Sequence, residues 1–275
     1  MAIKFSDFTD PTQLVLIAGP CVIESEEHVH KMADAISAIA KEAGFPYVFK
    51  ASYDKANRTS LKGFRGPGLT EGLRILDGVR QRGYSVLTDV HETSQMGPAA
   101  EVVDIVQIPA FLCRQTDLLL EAGRTGKIIN VKKGQFVAPH DIVHAADKVA
   151  STGNRQVVLT ERGSSFGYNN LVVDMRGLKV MADAGWPVVF DATHSVQLPS
   201  GGGGASAGQP QFIQPLASAA VAVGVSGIFV EVHDDPAHAL SDGPNALRLD
   251  LLPGFLRRLK LLHAAATADV ILEKD

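Results

Sequence analysis

Short apolar runs alternate with longer amphipathic stretches along the whole chain. The runs Leu14–Ala18, Tyr47–Lys50, Ser85–Val90, Ile105–Ile108, Ile128–Lys132, Val157–Glu161, Pro187–Asp191 and Gly227–Glu231 are apolar throughout rather than alternating. Strands of that kind are buried on both faces, as in a parallel sheet covered by helices. Helical spacing marks Glu27–Ala43, Leu69–Gln81, Pro139–Ala150, Asn170–Asp183, Pro215–Val223 and Asp250–Ala266. In the last of these Leu252, Phe255, Leu256, Leu259 and Leu262 fall on one face. Eight strands alternating with helices predict a single (β/α)8 TIM barrel spanning residues 1–275, with a doubly wound open sheet as the alternative.

In such a barrel the chemistry gathers at the carboxyl ends of the strands. Polar groups stand at nearly every one: Cys21, Lys50, Asp89 with His91, Gln107, Lys132, Glu161 with Arg162, Asp191 with His194, and Glu231. Strand alternation refines the set. Ile129 and Val131 should face the helices, so Asn130 and Lys132 face the barrel axis and Lys133 faces outward. Thr160 and Arg162 share a face by the same parity, which favours Lys132 and Arg162 over Lys133 and Glu161. Ring closure makes strands seven, eight and one contiguous. That sector carries Cys21, His194 and Glu231, with Asp242 in the following loop, a donor set suited to Zn, Fe or Mn. His233 is a competing ligand. The other sector is cationic, with Lys50, Lys55, Arg58, Lys62, Arg65, Arg114, Lys132 and Arg162, enough for two phosphate or carboxylate groups.

Composition narrows the partners. The 275 residues are close to the roughly 250 of one closed barrel. Lys and Arg number 26 against 30 Asp and Glu, a formal charge of -4 that argues against nucleic acid or an anionic membrane as partner. The start MAIKFSDFTDPTQ has no apolar signal-peptide core. The longest uncharged apolar stretch, Leu216–Val230, is shorter than the ~18 residues of a spanning helix. Two cysteines make no disulfide framework, so a reducing cytoplasm is expected. No G-x-G-x-x-G follows strand one and no phosphate loop is present, which speaks against NAD and ATP. Residues 199–210, PSGGGGASAGQP, form a low-complexity segment after strand seven that is expected to be a flexible loop or a mobile lid.

The stretches AGPCVIES (18–25), FKASYDKANRTS (49–60), RGPGL (65–69), TDVHE (88–92), QIPAFLCRQTDLL (107–119), NVKKGQF (130–136), ERGSSFGYNNLVVDMR (161–176), FDATHSVQLP (190–199) and SDGPNA (241–246) resemble the 3-deoxy-D-manno-octulosonate 8-phosphate synthases. That resemblance covers nearly the whole chain. It implies condensation of phosphoenolpyruvate with D-arabinose 5-phosphate, release of inorganic phosphate, and a product used for lipopolysaccharide. By resemblance Lys50, Ser52, Gln107, Ala110, Lys132 and Arg162 would hold phosphoenolpyruvate, and Lys55, Asn57 and Asp89 the arabinose chain. Arg58 and Thr59 would reach the sugar phosphate in a neighbouring subunit's site of a homotetramer. Cys21 with His194, Glu231 and Asp242 matches the metal-dependent branch; other members carry Asn in place of the cysteine. Lys55, Asp89, Lys132, His194 and Asp242 would take part in the chemistry. In the loop after strand seven the family commonly shows Arg; here Ser206–Gln211 has none. The nearest rival is a 3-deoxyheptulosonate 7-phosphate synthase acting on erythrose 4-phosphate, whose Lys-Pro-Arg-Thr-Ser motif is replaced here by Lys55-Ala56-Asn57-Arg58-Thr59-Ser60. A Schiff-base aldolase using Lys132 or Lys50 and a non-catalytic barrel are more distant alternatives.

Overall fold

The computed structural model describes residues 2–58, 60–199 and 207–268. Eight parallel strands close into a ring: Val15–Gly19, Tyr47–Lys50, Ser85–Asp89, Ile105–Ile108, Ile128–Lys132, Val157–Glu161, Val188–Asp191 and Gly227–His233. The first pairs with the eighth in register, Val15 opposite Gly227 and Gly19 opposite Glu231. This is the expected (β/α)8 barrel, and the open-sheet alternative falls because the first and eighth strands are hydrogen-bonded to each other. Every strand lies where its apolar run predicts, to within two residues.

Two cores follow from strand parity. Ile129, Val131, Leu159 and Phe190 point outward and pack against the helices. Val15, Ile17, Val48, Leu87, Ile105, Ile128, Val158, Val189 and Phe229 fill the barrel interior. The bottom of that interior is closed by a helix the apolar pattern did not reveal, Phe5–Thr9, which inserts Phe8 among the interior side chains.

The outer helices have local causes. Helix Glu26–Ala43 starts where the Ser25 hydroxyl accepts the His28 backbone N–H, carries Glu26 and Glu27 in its first turn, and stops at Gly44 in the left-handed region, φ 75°. Two expected helices are shorter than their pattern. Pro139–Ala150 is helical only over Val143–Ala150. Asn170–Asp183 is helical only over Arg176–Asp183, because Leu171–Val172 pairs antiparallel with Ser164–Ser165. Helices Thr93–Val102 and Thr116–Arg124 complete the ring between strands three and five. Among the described residues no helix is long and apolar enough to cross a membrane.

Most of the 199–210 segment, residues 200–206, lies outside the described residues. Its far end does not behave as free loop, since Ala207–Gly208 forms a two-residue antiparallel ladder with Gln197–Leu198.

Candidate active site

The inward parity of the interior core continues to the strand ends. The positions in step with Ile17, Val48, Leu87, Ile105, Ile128, Val158, Val189 and Phe229 are Gly19, Lys50, Asp89, Gln107, Lys132, Arg162, Asp191 and Glu231. One layer of the barrel therefore turns from apolar to ionic at its carboxyl end. Above it opens a cavity of about 710 Å³, within the usual range for a small-molecule site. Lys50, Lys55, Asn57, Arg58, Asp89, Gln107, Ala110, Lys132, Arg162, His194 and Asp242 line it. Ser52 stands behind, its hydroxyl donating to Asp89. Thr59 lies outside the described residues.

The two charge sectors expected from the strand order are in fact interleaved. Lys50 Nζ donates to Glu231 Oε1 at 2.8 Å and to the Cys21 carbonyl at 2.8 Å. Lys132 pairs with Asp191. Arg58 Nη1 lies 3.8 Å from Asp242 Oδ1. A closed ring forces this, because strand one sits between strands eight and two, so Lys50 is a near neighbour of Glu231. Lys62, Arg65 and Arg114 are not lining residues: Arg65 pairs with Asp54, and Arg114 borders a separate cavity of about 260 Å³ with Cys113 and Lys148. Lys133 is wholly buried and donates to the Gly134 and Val137 carbonyls, while Glu161 accepts the Arg162 and Gly163 backbone N–H groups, so both are structural as parity predicts. Arg58 lines the cavity of its own chain, its Nη1 facing Asp242.

Burial opposes ionisation of the carboxylates, yet each keeps its charge because cations surround it. Glu231 is held well below the usual carboxyl range, against burial, chiefly by Lys50 and also by Lys55. Asp89 is held well below it by the His91 hydrogen bond and by Lys55. Lys55, buried beside Cys21, Glu231 and Asp89, is pushed above the usual lysine range, whereas burial pulls Lys132 and Arg162 down. Two cations share the Phe229 ring as a floor, Lys132 at 4.2 Å and Lys50 at 5.6 Å from its centroid.

Cys21, Glu231 and Asp242 come together, each with a donor atom within 4.8 Å of the others. The Cys21 sulfur lies 2.9 Å from the Ser241 hydroxyl and donates to Asp242 Oδ2 at 3.3 Å. Burial and the Glu231 charge push its thiol far above the ordinary range. A buried thiol between two carboxylates, with Glu231 Oε2 buried and without a partner among the described residues, is a donor set whose chemistry fits a divalent cation. His194 is at the edge of the set, its Nε2 3.6 Å from Glu231 Oε1.

His233, the competing ligand, is drawn elsewhere. With Glu24 and His28 it forms a second donor cluster, also within 4.8 Å. The Asp235 backbone N–H donates to His233 Nδ1 at 2.9 Å, and His233 Nε2 lies 3.3 Å from Glu24 Oε1. Glu24 Oε1 also accepts the Leu240 N–H at 2.9 Å, so the cluster clamps the loop that carries Ser241 and Asp242.

Four residues outside the expected site set support the cavity. Asp191, among the polar groups at the end of strand seven and in step with Val189, pairs with Lys132. Phe229 reads as ordinary core. Ser241 and Gln197, whose side-chain oxygen accepts from Arg162 Nη2 at 2.6 Å, sit in loops where parity gives no guidance.

A family model for the DAHP synthetase I family matches residues 9–267. The chain belongs to that family. Curated relatives sharpen the likeness. A protein of Koribacter versatilis (strain Ellin345) named 2-dehydro-3-deoxyphosphooctonate aldolase is 63% identical over 259 residues, 93% of each chain. Proteins of the same name from Trichlorobacter lovleyi and Geobacter sulfurreducens are 60% and 58% identical, over 91% of this chain and 93% of theirs. That name is a synonym of 3-deoxy-D-manno-octulosonate 8-phosphate synthase, so the motif resemblance holds.

Proposed function

We propose that this chain condenses phosphoenolpyruvate with D-arabinose 5-phosphate to give 3-deoxy-D-manno-octulosonate 8-phosphate and inorganic phosphate. The observation that carries the reading is one cavity lined by Lys50, Lys55, Arg58, Lys132 and Arg162, enough cations for two phosphorylated substrates, in a chain 63% identical to a 2-dehydro-3-deoxyphosphooctonate aldolase. Lys50, Lys132 and Arg162 offset the phosphate and carboxylate charges of phosphoenolpyruvate, with Ser52, Gln107 and Ala110 beside them. The terminal methylene carbon of phosphoenolpyruvate attacks the aldehyde of the open-chain sugar, forming a C–C bond while the aldehyde oxygen takes up a proton. Water adds to the adjacent carbon that bears the phosphate, losing a proton, and the resulting hemiketal phosphate collapses to the ketone by C–O cleavage, releasing inorganic phosphate. Lys55, kept protonated by its anionic neighbours, offsets the charge that grows on the aldehyde oxygen. Asp89, kept ionised, accepts from the sugar hydroxyls with Asn57, while Arg58 and Thr59 take the sugar phosphate. His194 and Asp242 are assigned the proton handling of the attacking water.

Cys21, His194, Glu231 and Asp242 would hold a divalent metal, Zn, Fe or Mn. Such an ion supplies Lewis acidity for orienting or polarising the aldehyde or water. The protein works in the cytoplasm as a homotetramer. Its acidic balance, and the absence of a spanning helix among the described residues, support small-molecule substrates rather than nucleic acid or membrane.

Phosphate release measured with arabinose 5-phosphate and with erythrose 4-phosphate tests the sugar assignment. Selective turnover of the five-carbon sugar is expected; selective turnover of the four-carbon sugar would move the chain to the heptulosonate reading. Chelator treatment, with Cys21→Ala in parallel, should abolish turnover while leaving the far-ultraviolet dichroism unchanged. Full activity after chelation removes the metal and leaves the sugar assignment standing.

A further inference from the structure

Asp191 is wholly buried and takes no part in the reaction written above. Its two oxygens are divided. Oδ1 accepts the backbone N–H groups of Thr193 at 3.2 Å and His194 at 2.9 Å, and the Thr193 hydroxyl at 3.1 Å. Oδ2 faces His194 Nδ1 at 2.7 Å and also receives Lys132 Nζ, which lies 3.3 Å from Nδ1, so the shorter contact of that nitrogen is with the carboxylate. An ionised carboxylate only accepts, so the proton of a neutral His194 ring belongs on Nδ1. The lone pair is then on Nε2, which looks at Glu231 Oε1 across 3.6 Å. Glu231 Oε1 already accepts from Lys50 Nζ at 2.8 Å, whereas Glu231 Oε2 is buried with no partner among the described residues, so room for a further positive centre is left beside that second oxygen.

We propose that Asp191 is a positioning residue that fixes the His194 proton on Nδ1 and aims the Nε2 lone pair at the donor pocket of Cys21, Glu231 and Asp242. The inference rests on the metal reading of that pocket. Lys132 shares the same oxygen, so one buried carboxylate orients a phosphoenolpyruvate cation and a metal imidazole together.

Asp191→Asn is the discriminating change. The amide keeps an oxygen for the Thr193 and His194 N–H groups but places an N–H₂ where Oδ2 stood. That group cannot accept from Nδ1–H, so the ring proton moves to Nε2. Imidazole ¹⁵N spectra of metal-free protein should place the His194 proton on Nδ1 in the wild type and on Nε2 in the variant. An Nε2 proton already in the wild type overturns the proposal even if the variant fails to fold. Co²⁺ affinity, read by competition with a chromophoric chelator, should fall about 10- to 100-fold in Asp191→Asn. In a His194→Ala background the same change should alter it less than about twofold, since Asp191 acts through that ring. An undiminished loss there overturns the proposal. If the wild type binds no Co²⁺, the metal reading fails on its own, and the ¹⁵N spectra still decide the role of Asp191.

Discussion

At the scale of single residues, the cavity is built from partners that hold one another's charge. His91 is the clearest titrating case. Burial works against its protonated form, but the Asp89 hydrogen bond and charge outweigh burial and raise its pKa above the ordinary 6.5. A raised imidazole stabilises the fold fully below the unfolded value and loses that contribution as pH climbs through the folded one. The urea midpoint of wild type should therefore exceed that of His91→Gln most at about pH 6, and the gap should shrink by about pH 9. An equal gap at both ends would contradict the pair. Ser241 supports a different neighbour, its hydroxyl 2.9 Å from the Cys21 sulfur. Ser241→Ala should weaken Co²⁺ binding about tenfold, by the same competition measurement, without changing the thermal midpoint of metal-free protein.

Among the elements, the short helix Phe5–Thr9 has the largest structural consequence for its size. Phe8 is 2% exposed and packs with Val15, Ile17 and Val48 at the end of the barrel away from the cavity. Phe8→Ala should cost about 3–5 kcal/mol of stability by urea unfolding, with KM for phosphoenolpyruvate unchanged, because the loss is a cavity far from the ionic layer. This helix was not legible in the chain. Five residues with one N-terminal acid give too little periodicity, and its reason for existing is the opening it covers. The strands, by contrast, were legible almost to the residue, since burial on both faces leaves a run of apolar side chains that few other structures need. Where helices began late, the cause was local. Leu171–Val172 has the apolar character of a helix face but is claimed by a small antiparallel ladder.

For the molecule as a whole, strand parity made half of the site readable. It separated Lys132 from Lys133 and Arg162 from Glu161 with no three-dimensional information. It did not reveal the mixing of cations and carboxylates, which comes from ring closure and from side-chain reach across it. The register that joins Gly19 to Glu231 has one more effect. Cys21 leaves the ribosome early, whereas Glu231 and Asp242 emerge only near the end of synthesis. The nascent barrel is thus without its sulfur-carboxylate pocket until the final staves are in place, so that pocket is a property of the finished ring alone.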